Sequence, residues 1–159
     1  MSGFLLDTNV VSMLSPSRAE ISDRFLDWLE RADGEGRVFL SVVTIHEIEK
    51  GIALLDGKGA TAKAAGLRVW LSGLLATYDD KILGLDVPGA SYSGKAEAKA
   101  VAAGHDPGMA DAVIAGIAEA HDLTVITRNV KHFRHFSVRV ASPDEIGRAS
   151  CRERVCMLV

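Results

Sequence analysis

Apolar and polar positions follow two rhythms along this chain. Short apolar runs at Phe4-Leu5-Leu6, Val38-Phe39-Leu40, Ile82-Leu83-Gly84-Leu85 and Thr124-Val125-Ile126-Thr127 read as strands, with Val138-Arg139-Val140 a weaker last one. Between them, apolar residues return every three or four positions. Ile21, Phe25, Trp28, Leu29 and Ala32 mark one helix, and Ile45, Ile48, Ile52 and Leu55 a second. Residues 60–75, rich in Ala and Leu, predict a third, and residues 90–103 a fourth that stops at Gly104. Asp106-Pro107 is a start signal, with Asp as N-cap and Pro at the first helical position. The helix that follows places Met109, Val113, Ile114, Ile117 and Ala118 on one side. Short buried strands alternating with helices imply βαβ units and a mainly parallel sheet covered on both faces. Ligands of such sheets bind beyond the carboxyl ends of the strands. The positions to read for function are therefore Asp7, Thr8 and Asn9, then residues 41–47, then Asp86, then Thr127, Arg128 and Asn129.

The 159 residues suit one domain with a substantial core. Hydrophobic residues make up 48% and charged residues 25%, which excludes a disordered chain. No apolar run is long enough to span a bilayer, and Met1-Ser2-Gly3-Phe4 lacks the basic start of a signal peptide, so a cytoplasmic protein is expected. The net charge of −3 argues against holding nucleic acid by a broad basic face. Both cysteines, Cys151 and Cys156, fall within residues 147–159. That segment has three arginines against one glutamate, so residues 1–146 carry −5 and no cysteine. It follows a plausible domain end at Ser142-Pro143-Asp144-Glu145-Ile146. Residues 1–146 are expected to form the domain, and residues 147–159 to be foreign to it, for example read-through sequence. The alternative is a genuine C-terminal helix with a reactive thiol.

Several site types are missing. The chain has no GxxxxGK[ST] phosphate loop, no GxGxxG after a strand and no GxSxG nucleophile elbow. His46-Glu47 lacks the second histidine of an HExxH zinc site, and the histidines are scattered. Carboxylates remain. Asp7 directly follows the first strand, Glu47 lies near the start of a long helix, and Asp111 lies in the first turns of a later one. Helix N-terminal regions carry partial positive charge, which favours an ionised carboxylate there. If the three converged, a divalent cation would be needed to neutralise them, and oxygen-only ligands select Mg²⁺ or Mn²⁺. Metal-assisted phosphoester cleavage uses such an arrangement. Each acid also has a plain structural role open to it. Asp7 could cap a turn, Glu47 could pair with Lys50 or Lys99, and Asp111 could be a solvated helix residue.

Four blocks occur in order: LLDTNVVS (residues 5–12), SVVTIHEIEKGI (41–52), DAVIAGIA (111–118) and LTVITRNVKHF (123–133). With them the sequence resembles PIN-domain ribonucleases, and more closely the VapC or FitB-like toxins of bacterial type II toxin–antitoxin pairs. The likeness spans nearly all of residues 1–146. It implies a PIN-like three-layer α/β/α sandwich with a central, mainly parallel sheet. It implies an Mg²⁺- or Mn²⁺-dependent endoribonuclease that hydrolyses RNA phosphodiester bonds, leaving a 5′-phosphate and a 3′-hydroxyl. The family's acidic positions map onto Asp7, Glu47 and Asp111, which become the expected catalytic and metal-holding residues. A fourth position, often Asp, is Asn129 here, and a further acidic position is His132. Asn offers a neutral oxygen, so the site should hold its metal less tightly. The resemblance also implies a homodimer and a small VapB/FitA-like antitoxin, with no membrane partner. The apolar helix around Trp70, Leu71, Leu74 and Leu75 could receive that antitoxin, though half of such a face is expected to be core.

Thr8, Asn9 and Thr127 are expected to orient Asp7 and water beside it, with an ordinary helix cap as the alternative for Asn9. Arg128, Lys131 and Arg134 could hold the RNA backbone, or form a solvated basic turn. Asp106 is expected to cap its helix, Asp86 to have no catalytic part, and His46 to be structural or surface-facing. The main rival is a catalytically inactive PIN-like module that binds RNA or protein, favoured by Asn129 and His132. A haloacid-dehalogenase-like phosphatase would need a second Asp where Asn9 stands. A receiver domain would need a Lys where Thr127-Arg128 stand.

Overall fold

The structure is a computed structural model, and it describes residues 3–16 and 21–148. Five strands form one parallel sheet: β1 (Phe4–Leu6), β2 (Val38–Ser41), β3 (Ile82–Leu83), β4 (Thr124–Ile126) and β5 (Val140–Ala141). Their order is β3-β2-β1-β4-β5. Among the described residues eight α-helices connect or flank them: α1 (Thr8–Met13), α2 (Asp23–Gly34), α3 (Val42–Gly57), α4 (Thr61–Tyr78), α5 (Val87–Ala102), α6 (Met109–Ala120), α7 (Val130–Phe133) and α8 (Pro143–Arg148).

Side chains alternate across a strand with period two. Phe4, Leu6, Val38, Leu40 and Ile126 face one layer, where they pack with Val10 and Val11 of α1, Phe25 and Trp28 of α2, Ile52 of α3 and Ile146 of α8. Leu5 and Val125 face the other, with Ile114 and Ile117 of α6 and the buried Phe133 and Phe136. This is the α/β/α sandwich expected, with the sheet carrying a core on each side.

The chain steps outward from β1 to β2 to β3, then crosses back to lay β4 on the far side of β1. The carboxyl ends of β1 and β4 therefore flank the switch point, where a parallel sheet opens a crevice. Asp7 directly follows β1 and Thr127 directly follows β4. The Asp7 N–H donates to the Ile126 carbonyl at 2.9 Å, so the two strand ends are locked in register.

Helix α6 is buried through its whole middle and approaches α5 closely at Gly116. A Cβ on Gly116 would collide with the Gly89 carbonyl oxygen and lie 2.9 Å from the Ser93 Cβ. Gly116→Ala is expected to cost about 1–3 kcal/mol, the usual penalty of overpacking. Urea denaturation measures it, and an unchanged midpoint would contradict this packing.

Several boundaries differ from the pattern. β3 stops at Leu83 and β5 begins at Val140. α5 begins at Val87 rather than 90, because the Asp86 carboxylate caps it by accepting the Gly89 N–H at 2.8 Å, with a proline in the first turn. Asp106 is not the cap of α6. Gly108, at φ +80°, turns the chain after Pro107, so the helix starts at Met109 and Gly108 is its N-cap. Met109 is correspondingly 72% exposed, not part of the core face. Gly104, at φ +83°, does end α5. α8 continues through Gly147 and Arg148, two residues past the expected domain boundary, and the Gly147 carbonyl accepts from Arg24 at 3.4 Å. Cys151, Cys156 and the rest of residues 149–159 lie outside the described residues. Among the described residues, no helix is long and apolar enough to cross a membrane.

Candidate active site

Asp7 is the N-cap of α1 and is only 4% exposed. Both its oxygens accept hydrogen bonds. Oδ1 accepts the Thr8 N–H at 2.7 Å. Oδ2 accepts from Asn9 Nδ2 at 2.6 Å and from the Thr127 hydroxyl at 2.7 Å. Asn9 is thus no helix cap. Its carboxamide ties β1 to β4, since Nδ2 also reaches Thr127 Oγ1 at 3.1 Å and its oxygen accepts the Arg128 N–H at 3.0 Å. Thr127 Oγ1 accepts in turn from the Asn129 N–H at 3.0 Å.

Thr8 serves two acids, Asp7 as expected and Glu47 besides. Its backbone holds Asp7, but its hydroxyl donates to Glu47 Oε2. Behind it stands a hydroxyl chain that the sequence reading missed. Thr44 Oγ1 lies 3.3 Å from Thr8 Oγ1 and 3.2 Å from Ser41 Oγ, and Ser41 and Thr44 are fully buried. Ser41 caps α3 by accepting the Thr44 N–H at 3.1 Å. The signal was present: Ser41, Thr44 and Glu47 are spaced by three, so they share one face of the helix start. Among the described residues Glu47 makes no ion pair with Lys50 or Lys99.

Asp111 enters from the first turn of α6. Its Oδ2 lies 3.0 Å from His132 Nδ1 on α7. His132, a departure from the family's acidic pattern, is thus a direct partner of the third acid. His46 is on the surface. Asn129 is the N-cap of α7 and turns toward a cavity shared with Arg128, Lys131 and Arg134.

The three acids feel one another. Burial pushes the Asp7 carboxyl up to about 6, the Thr127 and Thr8 hydrogen bonds oppose this, and the charges of Asp111 and Glu47 raise it further. Burial also raises Asp111, against its bond and attraction to His132, and Glu47 raises it again. Thus the switch point gathers negative charge where ionisation is already disfavoured. The donor set is all oxygen, which suits a hard divalent cation. Among the described residues no three His, Cys, Asp or Glu side chains form a ready-made cage.

Beside Glu47 a groove of about 330 Å³ opens between α1, α3 and α4. Ile48, Ile52, Leu55, Leu67 and Trp70 line it, with Lys63 at its edge. Of the α4 residues expected there, Trp70 lines the groove, Leu71 is buried, and Leu74 and Leu75 pack against the core.

A family model for the PIN domain matches residues 4–138. Plasmid stability protein StbB of Pseudomonas syringae pv. tomato is 35% identical over 142 residues, covering 89% of this chain and 98% of its own length. Toxin FitB of Neisseria gonorrhoeae is 34% identical over 140 residues, covering 87% of this chain and 96% of its own. The crystal structure of FitAcB from Neisseria gonorrhoeae superposes with a TM-score of 0.70 at 34% identity, over 88% of this chain and 97% of that one. The structure of FitAB bound to an IR36 DNA fragment gives 0.72 at 30% identity, over 94% and 99%. With the buried strand-end aspartate, the two further acids and this match along most of its length, the chain belongs to the PIN domain family.

Proposed function

We propose that this protein is the toxin of a toxin–antitoxin module and acts as a metal-dependent endoribonuclease. The observation that carries the reading is Asp7, buried at the switch point with both oxygens fixed and coupled to Glu47 and Asp111. Asp7, Glu47 and Asp111 would hold Mg²⁺ or Mn²⁺, with the Asn129 carboxamide as a weaker, neutral donor. When bound, the ion supplies a Lewis acid for the phosphoryl oxygen and lowers the pKa of water. The chain's own part is to fix the acids. Thr127 and Asn9 hold Asp7, the Ser41–Thr44–Thr8 hydroxyls hold Glu47, and His132 holds Asp111. Rigid supports of this kind set ligand direction and basicity.

The relatives solved as FitAB and FitAcB support an antitoxin partner for this chain, of the VapB/FitA kind. Its seat would be the apolar groove beside Glu47, and the active unit a homodimer. Residues 1–146 carry the chemistry, and the segment from 147 onward takes no part in it.

Purified protein, freed of any antitoxin, is expected to cut RNA in Mg²⁺ or Mn²⁺ and to leave it intact in EDTA, as read on denaturing gels. Absence of metal-dependent fragments across tRNA and rRNA would instead favour an inactive RNA- or protein-binding module. One observation speaks for that second reading: His132 already occupies Asp111 Oδ2.

A further inference from the structure

Beyond the acidic centre lies a cavity of opposite charge. It has a volume of about 410 Å³ and sits past the carboxyl ends of β4 and β5. Arg128, Lys131 and Arg134 line it, together with Asn129 and His132, and one acid, Asp144, lines it as well. Three features of the fold make it more than a patch of exposed charge.

First, the backbone that carries it is pinned. The Arg128 N–H donates to Asn9 Oδ1 and the Asn129 N–H to Thr127 Oγ1, both at 3.0 Å. The same Asn9 and Thr127 hold Asp7. Second, α7 is anchored by Phe133, which is fully buried and packs edge-on against Phe136 with ring centroids 6.1 Å apart. Burying Phe133 leaves Lys131 and Arg134, three positions apart, on the same outward face. Third, among the described residues Arg128, Lys131 and Arg134 make no ion pair, although acids are plentiful in the chain. Their charges are left for something outside the protein.

The cavity shares His132 with the acidic centre, since that side chain lines the cavity and bonds Asp111. An anion held here is therefore next to whatever is held by the acids. We propose that this cavity is a subsite for the backbone phosphate of single-stranded RNA that flanks the cleaved linkage. A polyanion with evenly spaced charges matches the arrangement. One phosphate lies at the acids with their cation, and the next is met directly by Arg and Lys, which bind phosphate by charge-assisted hydrogen bonds. The location relative to the cut rests on the nuclease reading. Phosphate binding in the cavity does not.

Two measurements separate these. In EDTA, where no cutting occurs, anisotropy of a labelled single-stranded RNA is read for the full chain and for the Lys131→Gln/Arg134→Gln variant across a salt series. The variant is expected to bind about tenfold more weakly, the size of one lost charge-assisted contact. Its plot of log affinity against log salt should be shallower by about 0.7 for each phosphate contact removed. In Mg²⁺, an RNA with a single neutral methylphosphonate next to the cut linkage should be cleaved more slowly than the all-phosphate RNA by the unsubstituted protein. It should lose little further with the variant. Unchanged affinity and salt slope would overturn the subsite even if the protein cuts RNA. Weakened binding by the variant, with no cutting by either protein, would keep the subsite and overturn the nuclease reading. If the unsubstituted protein does not bind RNA at all, the subsite falls.

Discussion

Replacing Asp7 by Asn is expected to lower RNA cleavage by more than about 100-fold, past the 10–100-fold range of residues that only support a metal ligand. The substitution keeps size and shape, so packing around β1 is preserved. What changes is charge and donor count. Every bond to Asp7 in this structure is accepted by it, from the Thr8 N–H, Asn9 Nδ2 and the Thr127 hydroxyl. An asparagine can turn one oxygen to one side of that set, and its NH₂ must then face a donor on the other. The site loses a negative ligand and part of its fixed geometry at once. Thr127→Val is the matching control. It leaves the carboxylate in place and removes one donor from Asp7 and one acceptor from the Asn129 N–H, so a 10–100-fold loss is expected. Initial rates in saturating Mg²⁺ or Mn²⁺, with circular dichroism to confirm folding, decide the point. Chelator-sensitive cleavage by Asp7→Asn within tenfold of the unsubstituted rate would remove Asp7 from the metal-holding set.

The placement of Asp7 at the crevice was legible in the sequence. Parallel strands are short and apolar on both faces, so Phe4-Leu5-Leu6 announced its own end, and the residue after it had to face the crevice. Thr127 was legible for the same reason. What the pattern could not show was which hydroxyl serves which acid. Thr8 sits next to Asp7 in sequence, yet its hydroxyl turns to Glu47, because α1 begins at Thr8 and rotates that side chain toward α3. The short α1 left no periodicity to read. The bond from His132 to Asp111 crosses between α7 and α6, and periodicity carries no information on such pairs. Asp106 failed as a cap for a local reason: Asp-Pro is a good start signal, but the glycine after it takes the left-handed conformation and restarts the chain. The resemblance to PIN-domain ribonucleases supplied the meeting of Asp7, Glu47 and Asp111, which spacing alone had left open. The electrostatic coupling of the three acids now gives that meeting a physical content.

The same burial that fixes Asp7 should make the metal-free protein less stable as pH rises from 4 to above 6. An unfolded aspartate titrates near its ordinary value of 3.8, whereas burial lifts Asp7 in the folded chain to about 6. Between those values the folded state binds the extra proton, so stability falls with increasing pH. Roughly two units at about 1.4 kcal/mol each give a loss of about 3 kcal/mol, complete above pH 6 and absent below 4. The raised carboxyl of Asp111 acts in the same direction. Asp7→Asn has no proton to lose at this position, so its stability should be flatter with pH by about that amount. Urea denaturation in EDTA at pH 4 and 7.5, on both proteins, isolates the difference because all other titrating groups are common to them. Mg²⁺ at pH 7.5 should then stabilise the unsubstituted protein and leave Asp7→Asn nearly unaffected, since a ligand that binds only the folded state adds stability by mass action. Parallel pH profiles for the two proteins would mean that the fold does not raise the Asp7 carboxyl. Equal stabilisation of both by Mg²⁺ would mean that the cation binds elsewhere. An acid whose burial destabilises the empty fold would thus be one through which a bound cation adds stability, and these two measurements test both halves of that coupling at Asp7.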